Sequence, residues 1–264
     1  MFETIEVTRG PRVTVIWLNR PAVHNAINAV MAGELMQAIT EAAHNTEVCA
    51  VVLASRCDAF CSGTDLNWYQ SAWGADDPSQ DAPDFALSKL LRVIDASPIP
   101  VIARVNGHCV GVGVGLVAAA DIAVASHGAE FTQSETCLGM TPHLAAPYLT
   151  RAIGVRSAAR WLITGETFSA AEAWRLGLVH EICDVSELDA RINEILGHLM
   201  TAEAGAVKST RRMIKKMAVA GANQLNVAPA HESAEPELNG ELAKEGVSAF
   251  LEKRWPCWAP DELK

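Results

Sequence analysis

Residues 99–121 read I-P-V-I-A-R-V-N-G-H-C-V-G-V-G-V-G-L-V-A-A-A-D. After Pro98 and Pro100, the run Val101-Ile102-Ala103-Arg104-Val105 is β-rich, and Asn106-Gly107 breaks it. Gly111, Gly113 and Gly115 then alternate with valines, and from Leu116 the residues are good helix formers. The order is strand, glycine-rich turn, helix. Such a turn leaves backbone N–H groups unpaired at a helix N-terminus, where the dipole favours a partial negative charge. Three readings compete: a dinucleotide fingerprint, close packing of a helix on a strand, and a turn that binds an oxyanion. The fingerprint needs G-x-G-x-x-G, but Leu116 stands where the last Gly belongs and the stretch lies mid-chain. The other two stay open on this stretch alone.

The flanks repeat the pattern. Residues 49–54 form a short apolar strand, and residues 55–65, S-R-C-D-A-F-C-S-G-T-D, form a turn that ends in Gly63 before a helix start at Asp65-Leu66. Two units can thus present glycine turns to one site. Upstream, residues 4–18 alternate around Arg9-Gly10-Pro11 as a β-hairpin. Residues 25–43 have helical spacing through Ile27, Val30, Met31, Leu35, Met36 and Ile39. Residues 72–84 are polar and acidic with two prolines, which predicts a mobile surface loop, and 85–95 a helix. Residues 122–125 read as a strand. Past Val155 the spacing predicts helices over 157–163, 170–176, 186–200, 206–218 and 236–253. Alternating strands and helices predict an α/β architecture. The expected division is a core over 1–196 and a helical region over 197–264 that packs against another subunit.

The chain has 264 residues, 50% of them hydrophobic, enough for one compact domain with an appendage. A net charge of -10 is a poor match for nucleic acid or an anionic membrane surface. The seven cysteines are scattered without a C-x-x-C pair, which predicts small buried thiols in a reducing cytoplasm. No secretory signal is visible at the start, and the apolar run 109–120 is too short and glycine-rich to span a bilayer.

Four segments in order resemble the enoyl-CoA hydratase/isomerase (crotonase) superfamily. L-N-R-P-A-V-H-N-A at 18–26 matches its L-N-R-P-x-x-x-N-A, and A-F-C-S-G-T-D-L at 59–66 matches A-F-x-x-G-x-D-L. Residues 102–121 match V-I-A-x-V-N-G-x-x-x-G-G-G, and 162–179 match L-T-G-x-x-x-x-A-x-E-A-x-x-x-G-L-V. G-V-S-A-F-L-E-K-R at 246–254 also fits. The resemblance implies a spiral of ββα units with a C-terminal helical region that builds a homotrimer or a dimer of trimers. It implies an acyl-CoA substrate and a thioester enolate, with no resident cofactor, coenzyme A entering as part of the substrate. By position, the amides of Thr64 and Val112 would hold the carbonyl oxygen, and Glu135 would be the acid/base. His24, Ala26, Ser62, Gly63, Asp65, Leu66, Gly111, Phe250 and Lys253 would border coenzyme A, with Arg20 and Arg254 as further candidates for its phosphates.

The chain departs from the family pattern at three places. Gly115 stands where hydratases of the family carry a first glutamate, Val112 replaces the middle Gly of the triple, and Met140-Thr-Pro-His-Leu replaces T-I-P-G-A. Branches resembling methylglutaconyl-CoA hydratases share the G-L-V-A-A-x-D and S-E-x-x-L-G patterns. His143 is expected as a second acid/base group, as a ligand for a polar substrate end, or simply as lining. Asp65 and Asp121 are expected as turn and helix caps, His108 as structural, and Trp255-Pro-Cys-Trp258 as packing on a neighbouring subunit. The expected activity is that of an enoyl-CoA hydratase. The alternatives are a Δ3-Δ2-enoyl-CoA isomerase that uses one glutamate, and a non-catalytic CoA-binding scaffold.

Overall fold

The structure, a computed structural model, describes residues 2–72, 82–220 and 240–261. Part of the loop expected over 72–84 and the start of the helix expected over 236–253 lie outside these residues. The hairpin forms as β1 (Ile5–Arg9) and β2 (Val13–Leu18), antiparallel with Ile5 opposite Leu18. Helix α1 (Ala29–His44) starts where the Asn28 side chain accepts from Met31 N at 2.9 Å. It buries Met31, Leu35, Ala38, Ile39 and Ala42 at helical spacing.

Three successive units then share one plan. Each sends a strand into a large sheet and the next, shorter strand into a small one. The first unit is β3 (Ala50–Ser55), β4 (Ala59–Cys61), α2 (Leu66–Ala72) and α3 (Pro83–Ala96). The second is β5 (Val101–Val105), β6 (His108–Val110) and α4 (Val112–Ala119). The third is β7 (Ile122–Ser126), β8 (Glu130–Thr132) and a 3-10 turn over Glu135–Leu138. Helix α5 (Ala146–Thr164), kinked at Gly154, leads to β9 (Thr167–Ser169), α6 (Ala170–Leu176) and β10 (Glu181–Cys183). The large sheet runs β1-β2-β3-β5-β7-β10 and the small one β4-β6-β8-β9. Apart from β1–β2 and β8–β9, all pairs are parallel. This is the expected spiral.

Strands β3 and β5 are buried at every residue because helices cover both faces of the large sheet. One face meets α1, α3 and α4 through Leu35, Leu90, Leu91 and Val114. The other meets α7 (Leu188–Thr201), whose Leu188, Ile192 and Leu196 pack on Val52, Ile102 and Val124. Each such side chain contributes about 1.5–3 kcal/mol when fully buried. Helix α7 spans the expected boundary at 196–197.

Helices α8 (Ala204–Ala220) and α9 (Glu241–Leu251) follow. Helix α8 is fastened to the core through buried Arg211, whose Nε donates to Asp121 Oδ2 at 2.7 Å. The guanidinium also reaches the carbonyls of Ile94, Asp95 and Ser97. Asp121, expected as a helix cap, instead accepts from Arg211 and from Val101 N at 2.9 Å, so it ties two elements together. Breaking such a pair from one side leaves a buried charge, a loss of about 3–5 kcal/mol.

Several other expectations change. The helix expected from Leu116 starts at Val112, taking Gly113 and Gly115 into α4. A Cβ at Gly113 would lie 2.6 Å from Cys61 O, and one at Gly115 3.2 Å from Leu91 Cδ1, so packing outweighs the low helix propensity of glycine here. The seven thiols are free, but only Cys61, Cys109 and Cys183 are buried, while Cys137 and Cys257 are exposed. Within its own chain, Trp258 lies against Gly246 and donates to Thr201 O at 3.3 Å.

Candidate active site

The two glycine turns converge. Cys61 and Cys109 are register partners on β4 and β6, and Gly63 and Gly111 follow each by two residues. Both glycines have positive φ, +97° and +53°, which a side-chain-bearing residue rarely adopts. A Cβ at Gly63 would also press on Val110 O at 3.0 Å.

Backbone bonds orient the residue after each glycine. Ile27 bridges Thr64 in parallel, with Ile27 N donating to Gly63 O at 2.8 Å and Asp65 N to Ile27 O at 2.9 Å. In a parallel bridge of this pattern the N–H of the bridged residue, Thr64, points away from its partner. Val112 is the first residue of α4, where the N–H has no intrahelical acceptor and the dipole is positive. Both residues line one cavity of about 440 Å³.

Each turn is also held by a buried amide side chain. Asn25, itself at φ +59°, sends Nδ2 to Ser55 Oγ at 2.8 Å and to Phe60 O at 3.0 Å behind the first turn. Gln133, fully buried, sends Nε2 to Gly111 O at 3.0 Å behind the second. That carbonyl belongs to the peptide that carries the Val112 N–H. Gln133 therefore holds the plane of the Gly111–Val112 peptide.

Glu135 opens the 3-10 turn that follows β8. Its carboxylate lies against Gly111, where a Cβ would come within 2.9 Å of Oε1. Oε2 is buried and has no hydrogen-bond partner among the described residues. Burial raises the Glu135 pKa, and only a backbone bond and the charge of His143 oppose it. A half-buried carboxyl with an unpartnered oxygen, in one cavity with Thr64 and Val112, can take and return a proton.

Gly115, where the resemblance places a first glutamate, carries no carboxylate and is closely packed. A Cβ there meets Leu91 at 3.2 Å and Ala145 at 3.3 Å.

Of the residues expected to border coenzyme A, Ser62, Gly63, Leu66 and Gly111 line the cavity, and His24, Ala26, Asp65, Phe250 and Lys253 do not. Arg20 is spent on Asp65 Oδ2 at 3.0 Å and on Ala26 O, and Arg254 on Glu245 at 2.7 Å. Asp65 does cap locally, accepting from Asn67 N at 3.1 Å. His108 sits on the surface 3.2 Å from Glu130.

His143 is in the cavity wall, with Nε2 3.5 Å from Asp84 Oδ2. The Tyr69 hydroxyl donates to Asp84 Oδ1. Sequence reading missed Tyr69, Asp84 and Gln133. Asp84 falls in the acidic stretch taken for a surface loop, and nothing in the local sequence marks the other two.

Residues 8–261 match the enoyl-CoA hydratase/isomerase family. The chain belongs to that family. It is 34% identical over 261 residues to a "Probable enoyl-CoA hydratase" of Rhodobacter capsulatus, covering 97% of each chain. It is 30% identical to a trans-2-decenoyl-(acyl-carrier-protein) isomerase of Streptococcus mutans, covering 92% of this chain and 93% of that one. The crystal structure of an enoyl-CoA hydratase from Shewanella pealeana superposes with a TM-score of 0.91 at 30% identity, covering 97% of this chain and 96% of that one.

Proposed function

We propose that the cavity binds an acyl-CoA thioester, with the carbonyl oxygen between the N–H groups of Thr64 and Val112 and Glu135 at the α-carbon. The chain is an acyl-CoA-acting enzyme of the hydratase/isomerase family, and the reading concerns how it acts. The observation that carries it is the Glu135 carboxylate, buried against Gly111 with one oxygen unpartnered. In hydration, Glu135 takes a proton from water as the water oxygen bonds to Cβ. The π electrons move onto the thioester oxygen, where the two N–H groups stabilise the enolate. Glu135 then gives the proton to Cα, and the oxygen returns its electron pair to the carbonyl. The positive end of α4 supports the Val112 donor.

The absence of a carboxylate at Gly115 favours a second reading. A lone carboxylate can remove the α-proton of a 3-enoyl ester, leave a dienolate on the same two N–H groups, and protonate the γ-carbon. That is Δ3-Δ2 isomerisation without net water gain. In both readings His143 faces the acyl tail. A CoA-binding scaffold is the third reading, against which Glu135 weighs. The exposed Val247, Phe250 and Leu251 on α9 support a subunit contact for the C-terminal helices, as in a trimer, which light scattering measures.

Crotonyl-CoA and trans-3-hexenoyl-CoA, followed by mass and ultraviolet absorbance, separate these readings. Water gain on the first marks a hydratase, and conjugation of the second without water gain an isomerase. Glu135→Ala is expected to lower either rate by about 10²–10⁴-fold. Full activity in Glu135→Ala overturns the mechanism, and no binding at millimolar CoA overturns every reading that puts an acyl-CoA here.

A further inference from the structure

The cavity wall holds two unlike groups of residues. One is Thr64, Val112 and Glu135; the other is Tyr69 from α2, Asp84 from the first turn of α3, and His143 from the turn before α5. The wall also holds Leu66, Leu138, Met140 and Leu144, together with the hydroxyl-bearing Ser62, Ser134 and Thr141. An apolar acyl tail suits the four apolar residues, but it would cover a carboxylate and an imidazole without satisfying either.

The second group is arranged rather than incidental. Tyr69 donates to Asp84 Oδ1 and holds that oxygen. His143 Nδ1 lies 3.0 Å from Thr141 O, and a carbonyl only accepts, so Nδ1 carries a proton and Nε2 is the free edge of the ring. Nε2 and Asp84 Oδ2 face each other across 3.5 Å, too far for a good direct hydrogen bond. Their side chains are 53% and 46% exposed, open to whatever enters the cavity. The gap asks for a group that donates to Oδ2 and meets Nε2. A hydroxyl both donates and accepts, so it fits either protonation state of the ring. A terminal carboxylate brings a third negative charge to a cavity that already holds Asp84 and Glu135. An ammonium cannot accept from the ring.

Resting on the acyl-CoA reading above, we propose that Asp84 and His143, with Tyr69 as the positioning residue, select acyl groups that carry a hydroxyl. The substrate class is a hydroxylated enoyl-CoA rather than a plain fatty enoyl-CoA or a dicarboxylic one.

The test compares kcat/KM for 2-enoyl-CoA esters of four to eight carbons ending in methyl, hydroxyl, carboxylate or ammonium, with purified full-length protein. At one chain length the hydroxyl ester is expected to exceed its methyl counterpart by at least about tenfold, below the larger discrimination of fully dry sites because Asp84 and His143 are half-exposed. Asp84→Leu is expected to bring that ratio close to one, His143→Ala to lower it, and Tyr69→Phe to lower it less. A wild-type ratio under about two at every length, a ratio that survives Asp84→Leu, or a preference for the carboxylate or ammonium ester overturns the proposal. If no ester turns over, the reading of the reaction fails separately. Competition calorimetry with saturated acyl-CoA and ω-hydroxyacyl-CoA then still decides the selectivity.

Discussion

The turns at Gly63 and Gly111 are local copies of each other, and the helices after them differ in every respect that packing can change. All eight residues of α4 are buried, whereas none of the seven in α2 is. Helix α4 is wedged between the small sheet and α3, with Gly113 on Cys61 and Gly115 on Leu91. The first turn lacks such a wedge, and its orientation comes from the Ile27–Thr64 bridge and the Asn25 amide. A donor can thus be fixed by a rigid buried helix or by a neighbouring loop. The first way resists mutation on the surface and is intolerant within, and the second depends on a few polar contacts.

The sharpest break of this comparison is a methyl group on each glycine. Gly111→Ala puts a Cβ at φ +53° and 2.9 Å from Glu135 Oε1, so it disturbs one N–H donor and the carboxylate together. We expect kcat on the better of the two enoyl esters to fall by about a thousandfold or more. Gly63→Ala strains φ +97° and presses on Val110 O, but it leaves Glu135 untouched. About a hundredfold is expected there. Equal losses would mean that Glu135 and the Val112 amide do not act together.

The two amide clamps give the next contrast. Gln133→Met keeps the volume and removes the donor to Gly111 O. The peptide can then tilt, so kcat is expected to fall about tenfold with little change in KM, and the thioester C=O stretch of bound ligand to move back toward its value in water. Asn25→Ala removes bonds to Ser55 and Phe60 from a fully buried site. Its main effect is expected in thermal unfolding, a loss of about 1–3 kcal/mol, because it leaves buried acceptors without a partner. A large kcat effect for Asn25→Ala at unchanged stability would erase the distinction between the clamps.

Most of this architecture is legible in the chain. The hairpin, the buried strands at 50–55 and 101–105, and the helix Ala170–Leu176 follow from alternation, apolar runs and helical spacing. Strands β4, β6 and β8 are three residues each, too short for any period to register, so the first glycine turn read as loop although it holds a strand. Helix α4 starts at Val112, four residues before propensity places it, because propensity sets glycine against helix while close approach to Cys61 and Leu91 demands it. At the site, Thr64, Val112 and Glu135 came from motif positions. Tyr69 and Asp84 belong to helices separated in sequence, and only the tertiary fold brings a phenol to a carboxylate. Asp121 shows the same limit: an Asp after a helix looks like a cap until an arginine ninety residues on is folded against it.

The smallest expected effect concerns the charge that the α4 side keeps dry. Glu135 Oε2 is buried without a partner, and burial raises the Glu135 pKa above its ordinary 4.5. The folded protein therefore binds this proton more tightly than the unfolded chain does. The stability gained is complete below the unfolded value and is lost as pH rises through the folded one. At neutral pH the ionised side chain thus costs stability, and a neutral isostere does not. Glu135→Gln is expected to raise Tm by a few degrees at pH 7–8, the increment shrinking toward zero near pH 4. In wild type, kcat/KM should fall on the acid side with an apparent pKa above 4.5, since protonation removes the base. A Tm increment that does not depend on pH would assign the gain to packing, and would leave the buried carboxylate without its part in the contrast between the two turns.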